Sequence, residues 1–295
     1  MLEAELRAVL PDLTDIRSLR RLTGGASRET WAFDDGDRPL IYRRGAGVGR
    51  EAVAMQAAAR AGVPEPRVIA FSKDWAVMER VEGETIARRI LRDERFIAGR
   101  SLLAEQCGEA LARIHSIALD AIPGLAARDA LDELRAMIAT FDDAAPGLEL
   151  GLRWLGENRP PPCDDVVLHG DFRLGNLVVS ERGIEAVLDW ELVHRGDPMQ
   201  DLGYLCVRAW RFGGEPPVGG FGQYEELFAA YERASGRTVD PRAVRWWELF
   251  GTVWWGGACM MQAARHLSGG ERSVELAAIG RRVWEQEYDV LLALA

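Results

Sequence analysis

Up to Arg80 the chain alternates apolar and polar positions in short runs, and after Gly83 the spacing lengthens to that of helices. Ser18-Leu22, Thr30-Phe33, Leu40-Arg43, Arg67-Phe71 and Trp75-Arg80 read as short strands, the last alternating apolar and polar residues. They surround one alanine-rich helix, expected from Arg50 to Ala61 and stopped by Gly62 and Pro64. Further helices are expected near 99–116, 130–141, 221–234, 242–266 and 271–294. Three β-rich fragments, 166–169, 176–179 and 186–189, sit among them. Strands first and helices later predict an α+β fold in two lobes. The smaller, β-rich lobe spans 1–82 and the larger, mainly helical one 83–295, joined at Glu79-Gly83. Pro160-Pro161-Pro162 reads as a stiff connector inside the second lobe. No internal repeat and no low-complexity tract interrupts this order.

Composition narrows the function class. A chain of 295 residues with 48% hydrophobic content can bury a sizeable core. Cys107, Cys163, Cys206 and Cys259 lie far apart, with no C-x-x-C pair or zinc-spaced cluster, so a reducing cytoplasm is expected. The first residues carry acids where a secretory signal carries bases, and no apolar run approaches the roughly 20 residues a membrane span needs. A net charge of -10 argues against nucleic acid as a partner. It is compatible with a cationic co-substrate, though a solvated acidic surface is the simpler reading. Lys73 is the only lysine, so any fixed cation in a site must be arginine.

The chemistry concentrates in His169-Gly170-Asp171-Phe172-Arg173-Leu174-Gly175-Asn176, followed by Val187-Leu188-Asp189. A carboxylate that orients a hydroxyl, with an amide oxygen and a second carboxylate for Mg²⁺, is what phosphoryl transfer requires. The D-x-x-x-x-N spacing is that of the protein-kinase catalytic loop, with Gly170 where that loop has arginine. Each of the three polar residues borders a strand fragment, so a hairpin can gather them at one edge. Turn-forming Asp and Asn explain any one of them alone, but not the trio.

The string HGDFRLGN with LDWELVHRGDPMQDLGYL resembles the aminoglycoside-phosphotransferase and choline-kinase superfamily, whose fold is the two-lobed protein-kinase-like one. That resemblance implies Asp171 as catalytic base, Asn176 and Asp189 as metal ligands, ATP or GTP with Mg²⁺ as cofactors, and a small-molecule hydroxyl as acceptor. Arg173 is either a clamp on the transferring phosphate or a solvent-facing loop arginine. His169 is expected to brace the loop, as is Asp201. Asp197, Pro198 and Gln200 fit a helix N-cap, first turn and capping box.

Thr23-Thr30 resembles the nucleotide loop, with Gly25 and Ser27 facing phosphate, although a Gly-Gly between strands is also an ordinary hairpin turn. Arg43 stands where the kinase pattern has a strand lysine, with Glu51 as its partner, and a guanidinium grips phosphate oxygens in a fork. Arg44 should face the other way. Backbone groups of Glu79 and Val81 would meet adenine. Gly47-x-Gly49-x-x-Ala52 mimics a dinucleotide fingerprint, but no repeated βαβ units follow. Trp247, Phe250 and Trp254 share a helix face that suits core packing, or else the wall of an acceptor pocket. These residues predict an ATP- and Mg²⁺-dependent phosphotransferase; the rival is a nucleotide-binding module without turnover.

Overall fold

In the computed structural model, residues 2–22, 28–125, 129–269 and 272–295 are described. The first element is a helix the alternating pattern does not reveal, α1 (Leu2–Val9), followed by β1 (Ile16–Leu22), β2 (Glu29–Asp35) and β3 (Arg38–Arg44). Next come α2 (Val48–Arg60), β4 (Val68–Phe71) and β5 (Trp75–Glu79). The five strands form one antiparallel sheet in the order β1-β2-β3-β5-β4. Its alternating side chains feed two layers. Trp31, Phe33, Leu40, Tyr42 and Val77 pack with Leu6 of α1 and Leu13, while Ala76 and Met78 join α2 in the main core. An antiparallel sheet with one crossing helix excludes the dinucleotide reading of Gly47–Ala52. Gly49 has a packing reason instead: a Cβ there would lie 2.3 Å from the Ser72 carbonyl oxygen.

Beyond the connector the chain is mostly helical: α3 (Ala87–Arg92), α4 (Ile97–Arg100), α5 (Leu103–His115), α6 (Ala130–Ile138) and α7 (Pro146–Glu157). The short pieces β6 (Val166–Leu168), β7 (Leu177–Ser180), β8 (Gly183–Val187) and β9 (His194–Gly196) follow, then α8 (Met199–Cys206), α9 (Tyr224–Ser235), α10 (Pro241–Leu267), α11 (Val274–Gly280) and α12 (Val283–Leu294). The expected helix over 271–294 is two helices, α11 and α12. β7 and β8 form the anticipated hairpin. β6 pairs instead with β9, a strand of three polar or small residues that the pattern does not show. Among the described residues no helix is long and apolar enough to cross a membrane.

α10 packs against more of the second lobe's helices than any other, lying against α8, α12, α11, α7 and α6, while α5 and α9 form the most extensive single pair. Trp246 and Trp247 on it are buried. The N-cap expected at Asp197 is shifted: Pro198 holds the cap position, and Asp197 accepts from the Met199 amide at 2.8 Å. No capping box forms, because the Gln200 side chain turns to His194 at 3.4 Å.

Candidate active site

Loop 169–176 leaves the end of β6 and is fixed first through its backbone. The amides of His169 and Gly170 donate to the two oxygens of the Asp201 carboxylate at 2.8 and 2.9 Å. Asp201 is fully buried on α8. It also meets His115 Nε2 at 3.3 Å, and His115 Nδ1 lies 2.9 Å from the Tyr231 hydroxyl. Burial works to raise the Asp201 pKa, but the His115 hydrogen bond and charge, His169 and the Gly170 amide outweigh it and hold the value below the usual aspartate range. Asp201 is thus the brace the sequence suggested, and it ties α5, α8 and α9 to one loop.

His169 braces from inside. Its Nδ1 accepts from the Asp171 amide at 3.2 Å, so the ring proton sits on Nε2, which donates to the Leu188 carbonyl at 3.0 Å. Phe172 and Trp190 enclose the ring, and burial pushes its pKa below the ordinary histidine value. A buried imidazole with both nitrogens engaged carries no proton to substrate. Gly170 adopts φ +82, and a Cβ there would lie 2.5 Å from the Leu192 carbonyl oxygen. The arginine of the protein-kinase loop has no room at this position.

The loop and the hairpin bring the predicted polar groups together. Asn176 Nδ2 donates to the Asp171 carbonyl at 2.9 Å and to its Oδ2 at 2.6 Å, using both amide protons and leaving the amide oxygen. Arg173 Nε donates to Asp171 Oδ1 at 2.9 Å, and its guanidinium stacks 4.9 Å from the Trp210 ring centre. The solvent-facing alternative for Arg173 is therefore set aside: the side chain is sandwiched between carboxylate and indole. Asp189 follows β8 in the left-handed region, φ 68, a conformation uncommon outside glycine that aspartate tolerates.

Arg43 reaches this group from β3. It lies 3.0 Å from Glu51 Oε2, as expected, and its other terminal nitrogen donates to Asp189 Oδ1 at 3.0 Å. Burial raises the pKa of Glu51 despite the opposing pull of Arg43 and Arg28. Arg44 faces away, pairing with Glu5 and Glu29 over the Trp31 ring. At the connector, Glu79 turns its carboxylate out to Arg67 while its amide donates to the Arg67 carbonyl. Among the described residues neither the amide nor the carbonyl of Val81 makes an internal hydrogen bond. Gly25 and Ser27 lie outside the described residues.

A cavity of about 630 Å³ opens beside the loop at Gly170. Tyr204, Trp246, Trp247, Phe250 and Trp254 wall it, and Glu133, Asp165, Asp197, Arg159 and Arg195 stand around it. The tryptophans read as core stripe are both core and wall: Trp247 is buried, yet lines the cavity and donates its indole N–H to Asp197 Oδ2 at 2.9 Å. Sequence reasoning passed over His115, Arg28, Glu191 and Tyr204. A lone histidine among the apolar positions of α5 was the available signal for the first; the others become visible only once the elements meet.

Against known proteins, a family model described as "Phosphotransferase enzyme family" matches residues 18–247. Among curated proteins, acyl-CoA dehydrogenase family member 11 of Gallus gallus is 30% identical over 63% of this chain, and the match covers 27% of that protein. Its Mus musculus counterpart is 26% identical over 83% of this chain and 36% of its own length. The chain therefore spans about a quarter to a third of these relatives. Among solved structures, a choline/ethanolamine kinase family protein from Mesorhizobium loti superposes with a TM-score of 0.70 at 21% identity, covering 100% of this chain and 95% of that one. A spectinomycin phosphotransferase, solved with ADP and spectinomycin, gives 0.69 at 14% identity, covering 100% and 97%. At such identities the likeness is one of fold, the two-lobed kinase-like α+β fold.

Proposed function

The chain belongs to the phosphotransferase enzyme family, and from that premise we propose that it transfers the γ-phosphate of ATP to a hydroxyl of a small molecule, with Asp171 as the base. The observation that carries this reading is the Asp171 carboxylate, pinned by Arg173 and Asn176 on its two oxygens, one residue along the loop from Gly170, which lines a cavity large enough for a small molecule. In this division residues 1–82 hold the nucleotide and 83–295 hold the catalytic loop and the acceptor.

The acceptor oxygen attacks the γ-phosphorus, the bond from that phosphorus to the β–γ bridging oxygen breaks, and the hydroxyl proton passes to Asp171. Arg173 and Asn176 each donate to one Asp171 oxygen and the Tyr204 hydroxyl also donates to the carboxylate, so three donors orient it and a lone pair remains for the substrate hydroxyl. Arg173, stacked on Trp210, places a fixed positive charge beside the base, where transferring phosphate oxygens gain most from it. Arg43 offers its fork to the phosphates once it exchanges Asp189 for them. The free backbone groups of Val81 suit an adenine edge. Gly25 and Ser27 belong to the same nucleotide reading.

Asn176 and Asp189 fit magnesium. Among the described residues no three His, Cys, Asp or Glu side chains converge, and one carboxylate with one amide oxygen is the small protein share that magnesium takes when phosphates supply the rest. When bound, the ion would neutralise charge on the phosphate oxygens. The aromatic walls of the cavity suit an acceptor with an apolar body. A hydroxylated acyl group is such a body, and the acyl-CoA dehydrogenase names of the relatives agree with it.

Coupled-assay turnover of Mg·ATP against a panel of alcohols tests the proposal. Wild type should phosphorylate at least one acceptor, and Asp171→Asn should lose about 10²–10⁴-fold in kcat with nucleotide binding retained. Equal turnover by the variant would remove Asp171 as base. Nucleotide binding without turnover on any acceptor would favour the non-catalytic module.

A further inference from the structure

Arg28 has no part in the roles above, yet it belongs to the same cluster of charge as Arg43. The β2–β3 register sets Thr30 opposite Arg43. Side chains two residues apart share a sheet face, which puts Arg28 on the same face as Thr30 and Arg43. Its stem runs along the turn after β3: a Cβ added at Gly45 would lie 3.3 Å from Arg28 Cδ, and one at Gly47 3.3 Å from Nη2. From there Arg28 Nη2 pairs with Glu51 Oε1, and Nη1 lies 3.3 Å from Glu191 Oε2.

Arg28 thereby mirrors Arg43. Each guanidinium takes one oxygen of Glu51 and one carboxylate from the segment after β8, Asp189 for Arg43 and Glu191 for Arg28. One buried glutamate needs one cation; the second guanidinium beside it is balanced by the further acids Asp189 and Glu191. The Nε atoms of both arginines are buried without a hydrogen-bond partner among the described residues. Glu191 is the most exposed of the three acids, at 31% against 5% for Glu51 and 30% for Asp189, so it and Asp189 are the partners that can exchange.

We infer that Arg28 is a second phosphate-binding cation of the nucleotide site, sharing Glu51 with Arg43 and held by Glu191 until a polyphosphate takes that carboxylate's place. This rests on the nucleotide reading above and extends it: two arginine forks do the work a single strand lysine does elsewhere. Arg28 is a binding residue in this scheme and does not act on the acceptor.

Calorimetric titration of the full chain with Mg·AMP-PNP and with AMP, on wild type, Arg28→Gln, Arg28→Lys and Glu191→Gln, tests it. Arg28→Gln should weaken Mg·AMP-PNP roughly tenfold or more and leave AMP unchanged, with Arg28→Lys intermediate. Glu191→Gln should bind Mg·AMP-PNP as tightly as wild type or tighter, because a competitor of the phosphates is gone. If Arg28 merely ties the lobes or props Glu51, both Arg28→Gln and Glu191→Gln lose affinity together, for AMP as for AMP-PNP, and the inference falls. It falls too if Arg28→Gln binds Mg·AMP-PNP like wild type. Should Arg28→Gln not fold, Arg28→Lys and Glu191→Gln keep the same opposed signs to check. Wild type that binds AMP-PNP while the variants disagree overturns only the role of Arg28; wild type that binds no nucleotide overturns the nucleotide reading with it.

Discussion

Loop 169–176 and the arginine cluster beside β2 and β3 are both held by charge, yet they are built in opposite ways. The loop is anchored on Asp201, which is fully buried and receives donors from His169, Gly170 and His115. The cluster is anchored on Glu51, but its outer contacts, Arg43 with Asp189 and Arg28 with Glu191, are partly exposed and join the two lobes. Removing one partner of a buried pair costs several kcal/mol, because the other is left dry and unmatched. A pair with one acid still partly open to water loses less, since water and salt can replace part of it. On the proposed reading the base is therefore preorganised, while the arginines meant for phosphate hold provisional partners that a nucleotide would displace.

The contrast is sharpest at Asp201. Asp201→Asn keeps one acceptor oxygen but turns an amide donor toward a backbone N–H or His115, and should cost about 3 kcal/mol in urea denaturation. A cost under about 0.5 kcal/mol would mean the loop is not held from α8. Arg43→Lys comes next. A single ammonium cannot span Glu51 and Asp189, so Mg·AMP-PNP should bind roughly tenfold more weakly while the melting transition barely moves. Equal affinity would show that the fork is not used.

The smallest effect is a pH dependence. His169 has a folded-state pKa below the ordinary value of about 6.5, so its neutral form contributes stability that is complete above that value and is lost as pH falls toward the folded pKa. Relative to His169→Gln, wild type should lose roughly 1 kcal/mol between pH 7.5 and 5.5 in paired urea titrations. A constant difference across that range would mean the imidazole is not held neutral.

Much of this was readable locally. The strands β1 to β5 and helix α2 announced themselves because alternation and an alanine-rich run stopped by Gly62 and Pro64 are patterns within one segment. The trio Asp171, Asn176 and Asp189 was readable because loop and hairpin are contiguous in the chain. α1 escaped because its eight residues make only about two turns, too few for a helical spacing to stand out although the segment is amphipathic, and Leu6 anchors it under the sheet. α7 was hidden by Pro146, Gly147 and Gly151, which read as loop formers; the glycines are small because Glu287 and Val290 of α12, with Val253 of α10, pass close to them.

By itself, then, the sequence determined the order of strands and helices, the D-x-x-x-x-N spacing, and that any fixed cation in a site must be arginine, Lys73 being the one lysine. The tertiary structure decided which arginines meet which acids, that Trp247 is at once core and cavity wall, and that Asp201 reaches back to the loop. Periodicity and spacing are properties of neighbours along the chain. Ion pairs such as Arg43 with Asp189 join residues that only the closing of one lobe on the other brings within 3.0 Å, and no local pattern encodes that.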